Sequence, residues 1–324
     1  MDLNSRTSPS RRGLLRAGAG VSLAALGLGY GASGASASVS TSPRFDLSQP
    51  SYDLFRSKEL HSKRVQQSFA FDSVNKRLFV AAKRAGSAES DGDLCISHLD
   101  FQGNYISYMH LNGFGHGVAF GVRPSGGTSY LWIESDANGN GYGTKLSRIK
   151  YSAGTTLDAS SSSVTKFQPI SGAAEYTCSI DPVYDRMIVR YHKDGAKHIA
   201  VYDASDTDRG DFGNPLAQFT PPAISGTAQG YTLYGSYMYY LTGNAYSDSN
   251  PEPGNTYLTS INVNTGAIAQ GPTLTKAGST LTYREPEGLA IYRTDAGESR
   301  LFLGFATGEE GDRRSSIFYK NALV

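Results

Sequence analysis

The chain has 324 residues, 39% apolar and 11% aromatic, with 21 Tyr, 37 Gly and only 18% charged residues. That balance suits strands and turns and argues against long amphipathic helices. A net charge of +1 gives no electrostatic case for nucleic acid as a partner, since a domain binding it is ordinarily basic.

In chain order, Ser10-Arg11-Arg12-Gly13-Leu14-Leu15-Arg16 reads as a twin-arginine export motif. A weakly apolar Ala/Gly/Leu stretch from Ala17 to Ala32 follows, then the small-x-small site Ala35-Ser36-Ala37. Residues 1–37 are expected to be a signal peptide, and the mature chain to be secreted or cell-wall associated by the twin-arginine route. The apolar stretch is too short and Gly-rich to span a bilayer comfortably, so no membrane span is expected in the mature chain. Residues 38–50, rich in Ser and Pro, are expected to be a linker, and 51–324 a single domain. Cys95 and Cys178 each fall inside a predicted strand. After export a disulfide is permitted, and buried thiols account for the pair equally well; two cysteines exclude a Cys-rich zinc site.

One short pattern recurs five times. Gln67-Ser68-Phe69-Ala70-Phe71-Asp72, His116-Gly117-Val118-Ala119-Phe120-Gly121, Tyr176-Thr177-Cys178-Ser179-Ile180-Asp181, Gln229-Gly230-Tyr231-Thr232-Leu233-Tyr234 and Glu287-Gly288-Leu289-Ala290-Ile291-Tyr292 each place a polar leader, a small residue and a β-forming run in sequence. A turn and a second strand follow each one, as in Leu78-Phe79-Val80 or Leu301-Phe302-Leu303, and then a third. An all-strand repeat of roughly 50 to 60 residues predicts a five-bladed β-propeller, because a small twisted sheet cannot bury both faces alone. The last repeat shows only three strands before Val324, so the segment around Tyr52–Leu60 is expected to supply the fourth and close the ring. The innermost strands border the channel, which brings Gln67, His116, Tyr176, Gln229 and Glu287 together at its mouth.

Several stretches carry candidate chemistry. His116 stands between Gly115 and Gly117, which leaves its imidazole uncrowded; a histidine capping a tight turn is the plain alternative. Arg284, Glu285 and Glu287 form the densest charged cluster beside an innermost strand and suit a polyol or charged sugar, or else a structural ion pair. Trp132 and Glu134 read as a sugar-stacking platform with an acceptor, or as a core Trp with a strand-end Glu. Arg190-Tyr191-His192 closes the middle strand of the third repeat. Asp136-Ala137-Asn138-Gly139-Asn140-Gly141 matches half a calcium loop, but Ser147 stands where a bidentate Glu is needed, and a Gly-rich hairpin explains the letters. No metal is expected. With no nucleophile elbow, Walker loop or dinucleotide fingerprint, no cofactor is expected either.

The blade starts Gln67–Asp72, Gly115–Phe120, Leu131-Trp132-Ile133-Glu134, Gly143-Thr144-Lys145 and Glu285-Pro286-Glu287-Gly288-Leu289 resemble those of one five-bladed propeller domain. That domain occurs in receptor-binding proteins of podophages of Gram-positive bacteria, in the teichoic acid biosynthesis protein C (TagC-like) group and in helveticin J-type bacteriocins. The resemblance covers residues 60–322 and implies recognition of a cell-envelope glycopolymer, wall teichoic acid in the phage case. It carries over no catalytic residue. The export signal and the lack of a phage-assembly domain argue against a virion part.

Three readings of function follow. In the first, the channel mouth binds a glycopolymer through Gln67, His116, Gln229, Arg284, Glu285 and Glu287, with Trp132 and Glu134 at the rim. In the second, the chain is a polysaccharide lyase or glycoside hydrolase with His116 or Tyr176 as base and Arg284 neutralising charge. In the third, it is a protein-interaction scaffold.

Overall fold

Runs such as Leu78-Phe79-Val80 and Leu301-Phe302-Leu303 are apolar without alternation, as expected for strands covered on both faces. In the computed structural model, which describes residues 38–324, they are the second strands of five antiparallel blades. Blade 1 holds Gln66–Asp72, Arg77–Lys83, Leu94–Leu99 and Tyr105–Asn112, with Thr155–Asp158 added in parallel at its edge. Blade 2 holds Gly121–Ser125, Thr128–Ala137, Gly143–Lys150 and Thr165–Phe167. Blade 3 is built from Ala174–Asp181, Arg186–Lys193, Ala196–Asp203 and Ala217–Phe219, and blade 4 from Ala228–Tyr234, Tyr237–Thr242, Tyr257–Asn262 and Ile268–Leu274. In blade 5, Glu285–Arg293, Ser299–Thr307 and Arg314–Lys320 are joined by the N-terminal strand Tyr52–Glu59, whose Tyr52 lies opposite Tyr319 and Glu59 opposite Arg314. The twin-arginine segment lies outside the described residues.

The apolar side chains sort into five clusters, one between each pair of neighbouring blades. Phe79, Ala81 and Leu94 of blade 1 meet Val122, Leu131 and Ile133 of blade 2. Leu78, Val80 and Phe69, pointing the other way, meet Ala290, Phe302 and Ile317 of blade 5. Successive residues of one strand thus serve opposite interfaces, which is why the strands read as continuous apolar runs. Trp132 of blade 2 packs with Tyr176 and Met187 of blade 3, Ile188 and Val201 with Tyr231 and Leu233 of blade 4, and Tyr239 and Leu258 with Leu289 and Phe305 of blade 5.

Around the channel the innermost strands approach so closely that only small residues fit. A Cβ on Gly230 would lie 2.7 Å from the Cα of Gly288, and a Cβ on Gly288 would lie 2.7 Å from the Cα of Ser68. Ser68 Oγ donates to the carbonyl of Gly117, and the hydroxyls of Thr177 and Tyr231 meet at 2.9 Å. The small second residue of the repeated pattern is therefore an inter-blade contact. At the opposite end of the strands, Asp72 and Asp181 tie turn to neighbour. Asp181 accepts from the amides of Val183 and Tyr184 in its own turn and from Gly235 of blade 4 at 2.6 Å. Asp72 accepts likewise from Val74 and Asn75, and from the Ser129 hydroxyl of blade 2.

The segment expected to be a linker is packed instead. Val39, Phe45 and Leu47 are buried, Phe45 completely, and Phe45 joins the cluster between blades 4 and 5. Arg44 and Val324 exchange backbone hydrogen bonds at 2.9 Å, so this stretch pairs with the C-terminus. Its Ser and Pro residues mask three apolar anchors spaced along an extended strap. Cys95 and Cys178 are free thiols buried in blades 1 and 3, and burial pushes Cys95 up to about 12.

Two stability predictions follow from these contacts. Deleting residues 38–60 removes Val39, Phe45, Leu47, Phe55 and Leu60 from the core, each contributing about 1.5–3 kcal/mol. The melting temperature should fall by more than about 10 °C; an unchanged transition would show that the strap and strand fasten nothing. Gly288→Ala, which needs a side chain at φ +90° against the backbone of blade 1, should lower stability by about 2 kcal/mol or more in denaturant titration.

Candidate functional site

Each innermost strand except that of blade 2 carries a β-bulge at its leading end. The register slips between Gln66 and Ser68, between Ala174 and Thr177, between Ala228 and Gly230 and between Pro286 and Leu289. A bulged residue has no partner across the ladder, so its side chain is re-aimed. Here the bulged Gln67, Glu175, Gln229 and Glu287 line a cavity of about 910 Å³ at the channel mouth. His116 joins them from the Gly115–Gly117 turn of blade 2, and Lys83 and Arg190 come from the ends of second strands.

Four of the five repeat leaders thus meet as expected. Tyr176 is the exception. The blade 3 bulge, like that of blade 5, spans two residues, and its first, Glu175, at φ +53°, takes the channel position. The Tyr176 ring is buried between blades 2 and 3, where its hydroxyl donates to the Ile170 carbonyl at 2.7 Å. Glu175 in turn meets His192 Nδ1 at 2.9 Å.

Three further expected site residues prove to be part of the framework. Arg284 is 0% exposed. Its Nε donates to the Ala277 carbonyl at 2.9 Å, its Nη2 to Thr275 at 2.9 Å and its Nη1 to the Thr256 hydroxyl at 3.1 Å, while the guanidinium lies 4.5 Å over the Phe305 ring. All three guanidinium nitrogens hold the loop beneath the site, and a fully buried side chain is out of reach of a ligand anion. Trp132 is fully buried and stacks on Phe167 at 5.0 Å. Glu134 is fully buried as well, and accepts from the amides of Gly117 at 2.7 Å and Gly143 at 2.6 Å. Its carboxyl fills the space a Cβ on Gly115 would need, 2.2 Å away. Glu134 therefore shapes the turn that presents His116. In the glycine-rich hairpin, the Asp136 carboxylate pairs with Lys166 at 2.5 Å and Asn138 Oδ1 accepts from the amides of Asn140 and Tyr142.

The protonation states inside the cavity are set by burial. Lys83 Nζ lies 3.2 Å from His116 Nδ1, and an ammonium only donates, so Nδ1 accepts and Nε2 carries the proton. Burial first, then the Lys83 charge, pushes the His116 pKa down to about 4, and the ring stacks on Tyr142 at 5.0 Å. Burial, reinforced by Glu285, holds the Glu287 carboxyl well above the usual carboxylate range. It accepts no hydrogen bond from any described residue, and only the Lys83 charge opposes this rise. Glu285 accepts from the Tyr283 hydroxyl at 2.7 Å. Gln67 Nε2 donates to the Gln66 carbonyl at 3.2 Å and Gln229 Nε2 to Gly243 at 3.0 Å. Both amide oxygens are left to accept from a ligand hydroxyl.

Sequence reading missed Lys83, Glu175 and Tyr142, and gave Arg190 and His192 no role. The usable signal was positional: Arg190 lies across the ladder from Thr177 and His192 from Ala174, beside the leading end of the innermost strand. A polar residue ending an otherwise apolar second strand marks the channel mouth.

The two titrating groups act on stability with opposite signs. An unfolded Glu ionises near pH 4.5 while the folded Glu287 resists, so the native state loses relative stability as pH rises above about 4.5. Glu287→Gln should raise the melting temperature at pH 7, the gain vanishing near pH 4; a less stable variant at pH 7 would show a satisfied carboxylate. For His116 the unfolded chain binds the proton first, so stability falls as pH drops from 6.5 toward 4. Ring NMR should find His116 neutral, with the proton on Nε2, down to about pH 4.

Comparison with known proteins agrees with this architecture. Residues 65–319 match the model of the phage 5-bladed beta propeller receptor binding platform domain. A Bacillus subtilis (strain 168) protein named major teichoic acid biosynthesis protein C is 26% identical over 284 residues, covering 85% of this chain and 63% of the relative. The tail fiber of Staphylococcus aureus phage P68 superposes with a TM-score of 0.66 at 20% identity, over 86% of this chain and 52% of the fiber. The chain thus spans less than two thirds of either relative. With the family model matched over most of its length and five blades in its structure, the chain belongs to the phage five-bladed β-propeller receptor-binding platform family.

Proposed function

We propose that this protein binds a glycopolymer of the cell envelope, such as teichoic acid, at the channel mouth. The observation that carries this reading is the ring of bulged polar residues. Gln67, Gln229 and Glu287 leave the sheet ladder to face one cavity, with acceptors uncommitted and His116 Nε2–H as a donor. Polyhydroxylated chains are recognised by such convergent donors and acceptors in a largely preformed site. The names of the relatives, one for teichoic acid biosynthesis and one for phage receptor binding, support the same class of ligand. Export by the twin-arginine route, read from Arg11 and Arg12, would place the site where such polymers are found. Among the described residues no helix is long and apolar enough to cross a membrane.

The enzymatic alternative loses its assembled set, because Tyr176 and Arg284 face away from the cavity that holds His116. The scaffold alternative needs a continuous apolar face. The exposed large apolar residues instead belong to the outer strands of blade 1 (Tyr105, Ile106), blade 4 (Ile268, Leu274) and blade 5 (Tyr52), to Val74 in a turn and to the C-terminal Leu323 and Val324.

Incubation of the full chain with purified wall teichoic acids and with uronic-acid polysaccharides tests the reading. Retention without new reducing or unsaturated ends is expected, with His116→Ala and Gln229→Ala each weakening affinity by about 5- to 10-fold, the range of one lost hydrogen bond. Product release that disappears in His116→Ala would instead make the protein an enzyme.

A further inference from the structure

Three carboxylates of the cavity wall are engaged within the protein. Glu175 faces His192 at 2.9 Å, Glu89 lies 3.4 Å from both Lys83 and Arg64, and Glu285 takes the Tyr283 hydroxyl. Arg190 is left out of these pairings. It is 7% exposed, its guanidinium makes no ion pair or hydrogen bond with any described residue, and its Nε is buried without an acceptor. The Tyr231 ring lies 5.8 Å from the guanidinium carbon, and the Tyr231 hydroxyl is turned to the Arg190 backbone amide. Burying a guanidinium without a directly paired carboxylate is strongly unfavourable, and among the described residues no carboxylate comes within ion-pair distance of this one, the Tyr231 ring being its cation–π neighbour. A fork of donors at the wall of a polar cavity is the arrangement that binds a compact oxyanion bidentately.

The surroundings reinforce this. Lys197 lies beside Arg190, opposite His192 across the ladder, exposed and in no direct salt bridge among the described residues, although the Glu175 carboxylate is near enough to act on its charge. Lys83 Nζ lies 3.2 Å from His116 Nδ1 and 3.4 Å from Glu89, a carboxylate it shares with Arg64. Glu287, also 7% exposed and without a hydrogen-bond partner for its carboxyl among the described residues, reaches the same cavity.

We propose that Arg190, with Lys197 and Lys83 beside it, is the seat for one compact oxyanion carried on a hydroxylated chain, a phosphodiester or a sugar carboxylate. The inference rests on the glycopolymer reading and adds to it the charge the ligand must carry and the residue that holds it. It also replaces Arg284 as the anion-binding arginine of this site. Glu287 and the amide oxygens of Gln67 and Gln229 then face the hydroxyls that flank the anion.

Equilibrium dialysis of the full chain against three small probes tests the seat directly: glycerophosphoglycerol as the diester, methyl glucuronoside as the carboxylate and methyl glucoside as the neutral control. An anionic probe should bind and the neutral one should not. Arg190→Gln should weaken that binding by about 30-fold, the loss expected when one member of a desolvated charge pair is removed. Arg190→Lys should recover part of it, and Lys197→Gln, at an exposed position, should weaken it by a few-fold even if the buried variant does not fold. Whichever anion binds through Arg190 names the ligand class. Absence of binding by both anions, or binding unchanged in Arg190→Gln and Lys197→Gln, overturns the seat. Teichoic acid retained equally by wild type and Arg190→Gln would remove the seat and leave the polymer reading standing. A small anion held through Arg190 with no polymer retained would do the reverse.

Discussion

Five strands meet edge to edge around one channel, and the space between them admits only a hydrogen atom or a small side chain. Gly230 against Gly288, and Gly288 against Ser68, set how closely blades 4, 5 and 1 approach. That approach determines which side chains of the five interfaces can interlock, from Phe79 with Leu131 to Leu78 with Phe302. It also brings the leading residues of the strands within reach of one ligand. Stability and site therefore depend on the same contact: a larger residue at these positions would widen the ring and spread the polar leaders apart.

The bulges turn this geometry into a site. A strand in regular register would direct alternate side chains into the two neighbouring blades and none into the channel. Slipping the ladder at Gln67, Glu175, Gln229 and Glu287 frees one side chain per blade from that alternation. Blade 2 reaches the same end differently, through a glycine-flanked turn held by the buried Glu134. The result is a polar wall on an otherwise apolar ring, with Lys83, Glu287 and Arg190 almost wholly buried. Two of these groups, Glu287 and Arg190, have no hydrogen-bond or ion-pair partner for their side chains among the described residues, a burden to folding that a ligand would relieve. Stored strain of this electrostatic kind is expected where a surface is built to receive something.

Several readings of the sequence failed for one reason: residue type gives the chemistry a side chain offers but not the direction it points. Arg284 and Trp132 carry the chemistry of a sugar site, yet one lies beneath the cavity fastening carbonyls and the other between blades 2 and 3. Glu134 is an acceptor, but for backbone amides. Residues 38–50 have a linker's composition and still pack, because three apolar anchors suffice to order an extended strap.

What the sequence by itself determined is whatever recurs. The spacing of strands and turns, the small residue after each leader and the unbroken apolar runs together specify five blades, since no other arrangement buries both faces of so many short sheets. The same recurrence placed Gln67, His116, Gln229 and Glu287 at one mouth. Only the tertiary structure decided between Glu175 and Tyr176, and between Arg190 and Arg284. Those choices turn on where the blade 3 bulge begins and on which carbonyls a guanidinium can reach. Both are properties of strands packed against one another, and neither leaves a period in the chain.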